Sequence, residues 1–312
     1  MRVGVTGATG FCGGAVLRAL AAGGHDIVTV GRRPAGAHPW RRWDAASDVP
    51  DLSGLDVVIH LAAAVGDPRP GTRAAAFEQV NVVGAKRLLS AAEHCRVVWV
   101  SSSSVYDTRL DRTMVAEDHP IDGGHLNQYG RTKAVGDALA RDRGAVVLRP
   151  RAVYGPGDAH LLPRLRRAVR GRRLVLPGDD VSVSITHVDN LAAACVAAMA
   201  WDAGAYNVAD LAPVRRDEAL VGVLEAALGR SISVAHVPVW MAATAAKGMS
   251  ATAAVIGRES LLTPYVVDTV GRDFVLDTTR ATATGWSSAD LMPSYLRLLR
   301  ASVGERDTAA RR

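Results

Sequence analysis

Tyr129 and Lys133 stand four residues apart in Tyr129-Gly130-Arg131-Thr132-Lys133, so a helix through this stretch puts both on one face. A free phenol titrates near pH 10, roughly three units above neutral. A nearby ammonium stabilises the phenolate and lowers that value, which turns the phenol into a general acid and base. Upstream, Ser101-Ser102-Ser103-Ser104 follows the apolar run Arg96–Val100. Hydroxyls at the carboxyl end of a buried strand lie where open α/β sheets bind ligands. A hydroxyl there can polarise an oxygen that is about to gain a proton. At the start of the chain, Gly7, Gly10 and Gly13 are spaced by three within Val3-Gly4-Val5-Thr6-Gly7-Ala8-Thr9-Gly10-Phe11-Cys12-Gly13-Gly14. A glycine triplet, a serine run or a Tyr-x-x-x-Lys is a weak signal alone. In this order on one chain they support one another, and they point to proton transfer at an oxygen beside a bound phosphate-bearing cofactor.

The elements that must position these residues read as alternating strands and helices. Val3 and Val5 fit a strand covered on both faces, and an Ala- and Leu-rich helix follows from Phe11 to about Ala22. Glycines in the turn between them let a phosphate approach the backbone, and the helix N-terminus offers unpaired N–H groups to it. A dinucleotide pyrophosphate is the natural guest, since the motif follows a strand and opens a helix. Asp26–Val30 is a second strand. A chain selective for NAD carries an acidic residue about 20 positions past the glycines; here Arg32 and Arg33 occupy that place. Guanidinium groups match a 2′-phosphate, so NADP(H) is preferred and NAD(H) stays open. Trp40–Asp44 and Asp56–Ala63 are expected as further strands, the latter holding His60 as a packed side chain. A helix is expected over Thr72–His94, then the strand Arg96–Val100, a helix from Tyr129 to about Arg141 and a sixth strand at Ala145–Arg149.

Pro150-Arg151-Ala152-Val153-Tyr154-Gly155-Pro156-Gly157-Asp158 reads as a rigid crossing out of the nucleotide half. After it come a helix at Leu161–Arg170 and a strand at Leu174–Leu176. Next is a helix starting in Thr186-His187-Val188-Asp189-Asn190, with Asp189 and Asn190 placed for capping, and then a strand at Ala205–Val208 that rejoins the main sheet. The rest is mixed: a helix near Asp217–Leu228, a strand near Ile232–Val237, an Ala/Met-rich helix from Pro238, a strand at Phe274–Asp277 and a helix from Ser288 to about Ala301. The polar tail Gly304–Arg312 is expected to fray. Val239–Gly257 reads as an amphipathic core helix pair, with contact to a membrane surface or the wall of an apolar pocket as the weaker alternatives.

Composition narrows the classes. The chain has 312 residues, 48% of them apolar, enough for a sizeable core and for one large α/β unit with an appended part. The net charge is +6 and the pI near 9.6. The positive charge is nearly all arginine, with Lys86, Lys133 and Lys247 the only lysines. The arginines are scattered and no nucleic-acid motif accompanies them; the densest stretch, Arg164–Arg173, reads as a solvated helix face. Cys12, Cys95 and Cys195 are far apart and lack metal-ligand spacing, so no disulfide framework and no metal site is expected, and a reducing cytoplasm fits. No signal peptide is expected before the first strand, and no apolar run is long enough for a membrane span.

Taken together, these residues resemble the extended short-chain dehydrogenases/reductases, the NAD-dependent epimerase/dehydratase superfamily. The marks are Thr6-Gly7-x-x-Gly10-x-x-Gly13, the serine turn ending in Val105-Tyr106, Tyr129-x-x-x-Lys133, Arg149-Pro150-x-x-Val153-Tyr154-Gly155-Pro156-Gly157 and Thr186-His187-Val188-Asp189-Asn190. Leu161-Leu162-Pro163-Arg164-Leu165 and Leu262-Thr263-Pro264-Tyr265 look most like the bacterial sterol-dehydrogenase branch, similar to 3β-hydroxysteroid dehydrogenases. The resemblance implies a doubly wound parallel (Rossmann) sheet over 1–155, completed by about 184–209, with 156–312 mainly a smaller α/β substrate domain. It implies catalytic roles for Tyr129, Lys133 and Ser102, with the neighbouring Ser103 and Ser104 as alternatives to Ser102, and a bond from Lys133 to the nicotinamide ribose. It places Gly7, Thr9, Gly10, Phe11 and Cys12 at the pyrophosphate, and Arg32 and Arg33 at the 2′-phosphate. Asp44 and Ala45 fall at the adenine, Leu61, Ala62, Ala63 and Asn81 along the middle, and Pro150 and Val153 near the nicotinamide.

A ketone reductase, or secondary-alcohol dehydrogenase, for a fairly apolar small molecule is the function this implies. Nucleotide-sugar epimerases and dehydratases are the alternative. They usually carry an asparagine at the position of Ala152 and an arginine within the segment that is Asp179–Ser184 here, which has none. A non-catalytic NADP-binding sensor is the third reading. The resemblance also implies possible homodimerisation through the helices after the fourth and fifth strands.

Overall fold

The computed structural model describes residues 1–66, 74–255, 260 and 262–310. In chain order it runs β1 (Arg2–Thr6), α1 (Phe11–Ala22), β2 (Asp26–Gly31), β3 (Trp40–Arg42), β4 (Val57–His60), α2 (Ala74–Glu78), a π-helical turn (Gln79–Val83), α3 (Gly84–Ala91), β5 (Arg96–Val100), α4 (Gln128–Asp142) and β6 (Val146–Pro150). It continues with β7 (Val153–Tyr154), α5 (Leu161–Ala168), β8 (Arg173–Pro177), β9 (Ser182–Val183), β10 (Thr186–His187), α6 (Val188–Ala197) and β11 (Gly204–Val208). The last part holds β12 (Val214–Arg215), α7 (Arg216–Leu228), β13 (Ser233–Val237), α8 (Val239–Val255), α9 (Pro264–Gly271), α10 (Thr279–Thr282) and α11 (Met292–Ala310).

Seven strands form one sheet in the order β11-β6-β5-β4-β1-β2-β3, every pair parallel. Successive side chains point to opposite faces of a strand, so each strand feeds two cores. Val57 and Ile59 of β4, Val98 of β5 and Val146 and Leu148 of β6 join the layer under α1 and α6. Val58, Val97, Trp99 and Val147 join the opposite layer with Leu88 of α3 and Ala140 of α4. This double coverage is why the strands read as unbroken apolar runs, and each fully buried Val or Leu contributes roughly 1.5–3 kcal/mol. The strand order reverses between β1 and β4, which opens the crevice where doubly wound sheets take their ligands.

The remaining strands pair two by two: β7 with β10, β8 with β13 and β9 with β12. Leu174 and Leu176 of β8 pack with Leu224 of α7 and Ile232 in a separate small core. The cysteines are free thiols. None of the described helices is long and apolar enough to cross a membrane.

Several expectations are corrected here. The helix expected over 72–94 is interrupted by the π turn around Asn81 and ends at Ala91; residues 67–73 lie outside the described ones. Phe274–Asp277 forms no ladder, only isolated bridges from Phe274 to Val183 and from Leu276 to Val115. The last helix starts at Met292 and runs through the supposed frayed tail to Ala310. His187 caps α6 through its ring nitrogen, which accepts from the Asp189 amide at 3.2 Å. Asn190 instead ties Asp210 to the Ala289 carbonyl. Val239–Val255 is one helix whose buried stripe is Ala242 and Ala246 against Val267 of α9, so the expected helix pair is not seen there; 256–259 lie outside the described residues.

Candidate active site

The end of β1 is built around Thr6. Its hydroxyl oxygen accepts from the Leu61 and Ala62 amides at 3.1 and 3.2 Å and bonds His60 Nδ1 at 2.8 Å, which pins the carboxyl ends of β1 and β4 together. Gly7 then turns with φ +67°, and a Cβ there would sit 2.7 Å from the Ala62 amide nitrogen. A Cβ on Gly13 would sit 2.2 Å from the Gly7 carbonyl oxygen, so only glycine lets α1 close on the turn. Gly10 caps α1 in extended geometry, with no side-chain cap and no acidic residue in the first turn. The first-turn amides of Phe11, Cys12 and Gly13 thus form a cradle for an anion, a fit for a pyrophosphate. Burial, and next the charge of Asp158, push the Cys12 thiol up to about 11, so it is a packing group rather than a thiolate.

Around this cradle, Arg32 and Arg33 are exposed just past the end of β2. Asp44 closes its own turn by accepting from the Ala46 amide at 3.0 Å. Ala45 is buried against Gly84, where a Cβ would lie 2.6 Å from the Ala45 carbonyl oxygen. Leu61, Ala62 and Ala63 line the half-buried exit of β4. Asn81 is buried in the π turn, a helix defect common at functional sites. Its Oδ1 accepts from the Ala64 amide at 2.8 Å, and its Nδ2 donates to the Ala64 carbonyl and to Thr132 Oγ1, both at 3.0 Å. Asn81 therefore clamps the β4 exit onto α4. Pro150 ends β6, and Val153 pairs with Thr186 across β7 and β10.

At the exit of β5, Ser101 and Ser103 are buried while Ser102 and Ser104 are only half-buried. Ser102 caps the short 3-10 turn Ser103–Val105: its oxygen accepts from the Ser104 amide at 3.1 Å, and its hydroxyl donates to Ser104 Oγ at 3.2 Å. Asn127 caps α4 by accepting from the Gly130 amide at 2.9 Å. A buried ion pair, Arg149 to Asp137 at 2.7 and 2.9 Å, locks α4 onto β6. Tyr129, in the first turn of α4, is hydrogen-bonded to Ser102; burial raises its phenol well above the ordinary value, and that bond opposes the rise. Lys133 is buried one turn on, with Nζ donating to the Val100 carbonyl at 2.7 Å and lying 6.0 Å from the Trp99 ring centroid. Burial lowers its ammonium to about 8 against the pull of Asp137. His60 stacks on Trp99 at 4.1 Å, and burial and then the Lys133 charge depress its ring to about 3, so it is a neutral core histidine.

The structure thus brings the phenol, the serine and the glycine cradle to one edge of one sheet. The sequence matches the NAD dependent epimerase/dehydratase family over residues 3–209. The chain belongs to that family. Among relatives of this epimerase/dehydratase-family chain, a 2-alkyl-3-oxoalkanoate reductase of Stenotrophomonas maltophilia is 32% identical over 62% of this chain and 64% of its own length. The sterol-4-alpha-carboxylate 3-dehydrogenase ERG26 (decarboxylating) of Candida albicans is 34% identical over 49% of this chain and 45% of its own length. The chain therefore spans less than two thirds of both proteins. A short-chain dehydrogenase/reductase superfamily protein of Agrobacterium tumefaciens, solved with bound NAD, shares the fold with a TM-score of 0.76 at 21% identity, covering all of both chains. The named relatives are consistent with the sterol-dehydrogenase-like branch, and membership makes this an NAD(P)-dependent enzyme family chain.

Beyond β6, the chain has a local irregularity. Ala152 sits at φ +44°, where asparagine is tolerated better than alanine. It borders an apolar cavity of about 50 Å³ walled by Leu161, Leu162, Leu220, Val223 and Met292. The arginine-free segment 179–184 is held by Arg215 of β12, which pairs with Asp180 at 3.0 Å. Two groups at this site were not assigned from the sequence. Tyr265, on α9, bonds Ser104 Oγ at 3.1 Å, and Arg151 packs over Phe274. A threonine cap followed by proline at the first turn of α9 was a readable helix start; the reach of Tyr265 across 161 positions to Ser104 was not.

Proposed function

We propose that this chain is an NADP(H)-dependent oxidoreductase that reduces the ketone of a fairly apolar small molecule, or oxidises the corresponding alcohol. The observation that carries the reading is the Tyr129–Ser102 hydrogen bond beside the glycine cradle, where Tyr129 also feels Cys12. Gly7, Thr9, Gly10, Phe11 and Cys12 would hold the pyrophosphate, with Arg32 and Arg33 at the 2′-phosphate and Asp44 and Ala45 at the adenine. Leu61, Ala62, Ala63 and Asn81 would wall the middle, and Tyr129, Lys133, Pro150 and Val153 the nicotinamide end. Bound there, the nicotinamide supplies or accepts the hydride. Ser102 donates a hydrogen bond to the substrate oxygen and Tyr129 gives it the proton. Burial holds the phenol's proton tightly and the Ser102 hydrogen bond opposes it; a Lys133 ammonium released from the Val100 carbonyl and turned toward the phenol would ease the release further. Residues 1–155, with β11, form the cofactor half, and 156–312 mainly shape the substrate pocket. A cytoplasmic enzyme, dimerising through the helices between 74 and 142, fits the same reading.

Purified protein incubated with NADPH and a panel of apolar ketones is expected to consume NADPH, followed by the reduced-nicotinamide absorbance. Redox-neutral conversion of a nucleotide sugar, with NAD(P) retained, would instead establish the epimerase reading. Replacing Arg32 and Arg33 together by serine is expected to weaken NADPH binding about tenfold or more relative to NADH, because a charge-assisted contact to a phosphate is worth roughly 1.5–3 kcal/mol. Equal loss for both cofactors would remove the NADP(H) preference.

A further inference from the structure

Lys133 Nζ donates to the Val100 carbonyl, an oxygen with no proton of its own to pass on. The hydrogen bonds of the Tyr129 phenol lead elsewhere. The phenol meets Ser102, the Ser102 hydroxyl meets Ser104 Oγ at 3.2 Å, and Ser104 Oγ meets the Tyr265 hydroxyl at 3.1 Å. Four hydroxyls thus stand in one row, from the first turn of α4 to the first turn of α9. Each can donate and accept, which is the property a proton-passing chain needs, and the serine hydrogens rotate, so the row can point either way. Tyr265, two hydrogen bonds from Ser102, is half-buried and keeps part of its surface in water.

The far end of the row is anchored. Thr263 caps α9 by accepting from the Val266 amide at 3.2 Å. Arg112 grips Asp268 of α9 at 2.7 and 3.3 Å, and Arg151 Nη2 donates to the Thr269 carbonyl at 3.1 Å. Arg151 is 5% exposed, and among the described residues its Nε has no hydrogen-bond partner. Its guanidinium gives the corner that anchor and an electrostatic contact with Tyr265. We propose that Tyr265 is the solvent end of a hydroxyl chain that carries the reaction's proton to and from Tyr129. This rests on the ketone-reductase reading above. Tyr265 acts on the reacting oxygen only through Ser104 and Ser102, so it is a positioning residue. In the reducing direction Tyr129 gives its proton to the substrate oxygen. The phenolate left behind takes the Ser102 proton, Ser102 takes that of Ser104, Ser104 that of Tyr265, and Tyr265 takes one from water. Every O–H bond broken is matched by one formed, so each turnover draws one proton from solvent and every hydroxyl ends as it began. Oxidation runs the same steps backwards.

The test follows NADPH oxidation by the full chain with 2-decanone or, if that is slow, with the fastest ketone of the apolar panel. Tyr265→Phe keeps the ring and deletes only the hydroxyl. Its first turnover, seen by rapid mixing, is expected to match wild type within about twofold, because Tyr129 starts with its proton. Its steady-state kcat is expected to fall about tenfold, with KM moved by no more than about twofold. Raising the imidazole concentration should restore part of that loss in Tyr265→Phe and leave wild type unchanged, since a small proton carrier stands in for the missing hydroxyl. Ser104→Ala cuts the same chain one link further in, so the double variant should lose no more than the worse single one. A steady-state kcat within about twofold of wild type, an equal loss in the first turnover, no response to imidazole, or losses that multiply in the double variant overturns the proposal and leaves the reductase reading standing. Circular dichroism with thermal melting checks folding; if Tyr265→Phe does not fold, Ser104→Ala carries the same first-turnover and imidazole comparison. If wild type oxidises no NADPH with any ketone although it binds the cofactor, the reductase reading fails and the proposal falls with it.

Discussion

The glycine turn and the Arg151–Tyr265 corner both adjoin the Tyr129 phenol, through Cys12 and Tyr265, and they are built by opposite means. The turn comes from a dozen consecutive residues, and its shape is set by backbone: Gly7 and Gly13 are glycine because a Cβ would overlap main-chain atoms at 2.7 and 2.2 Å. The corner comes from side chains at 104, 112, 151, 265, 268 and 274, gathered from the segment after β5, the crossing after β6, α9 and the stretch that follows it. A backbone cradle tolerates no side chain and suits a ligand part that never varies. A side-chain corner can be re-lettered one residue at a time, which is how a fold keeps its cofactor while changing its substrate.

The largest effect should come from the residue between the two regions. Tyr129→Phe removes the proton donor and leaves the ring, so kcat should fall about 10²–10⁴-fold. NADPH affinity, measured by fluorescence titration, should move by no more than about threefold, since the cradle is formed by other residues. A matching loss of NADPH affinity would show that the two regions are not separable. Next is Gly13→Ala. The new methyl would meet the Gly7 oxygen at 2.2 Å and force α1 away from the turn. Overpacking of this kind costs roughly 1–3 kcal/mol, so NADPH affinity should drop about ten- to a hundredfold and the melting temperature should fall. An unchanged affinity would mean that the cradle does not hold the pyrophosphate.

The contrast also explains what could be read from the sequence. The strand through Val3 and Val5 forms, and Phe11–Ala22 matches its expected bounds, because glycine spacing and apolar runs are local facts. So were the strands at Asp26 and Arg96 and the helix that carries Tyr129 and Lys133. The burial of the serine run is set only in three dimensions, where Ser103 turns inward and both Ser102 and Ser104 stay half-buried. The break at Asn81 follows from a tertiary bond to Thr132, 51 positions away, which no periodicity reports. Phe274–Asp277 has strand-like residues but meets only single bridges, and its aromatic ring serves two arginines instead. Arg151 looked like one more loop arginine, because its deficit of partners is a property of the packed corner.

A pH titration separates the effect of burial from that of hydrogen bonding at Lys133. Its folded-state pKa, about 8, lies below the ordinary 10.5 because burial penalises the charge. Between those values the unfolded chain binds more protons than the folded one, so this residue's contribution to stability rises as pH increases from about 8 to 10.5. The gain should be of order 2–3 kcal/mol, and Lys133→Met should lack it. Urea unfolding at pH 7.5 and pH 10 measures both. Parallel pH slopes for the two proteins would show that the ammonium keeps its ordinary affinity for the proton.

The smallest effect lies at the border between the two regions. Ala152 and Gly7 both have positive φ, +44° and +67°, yet for different reasons one is alanine and the other glycine. At Gly7 a Cβ is barred by the Ala62 backbone; Ala152 is exposed, and its methyl has room beside the cavity. Alanine there bears only torsional strain, about 1–2 kcal/mol. Ala152→Gly removes that strain but adds freedom to the unfolded chain worth roughly 0.5–1 kcal/mol. The net should be a stabilisation of about 0.5–1 kcal/mol, read as a rise of one to a few degrees in Tm. Gly7→Ala should instead destabilise, since it meets strain and overlap together. If Ala152→Gly lowers Tm, the methyl packs against the cavity wall strongly enough to outweigh its strain, and the border residue belongs energetically to the substrate side.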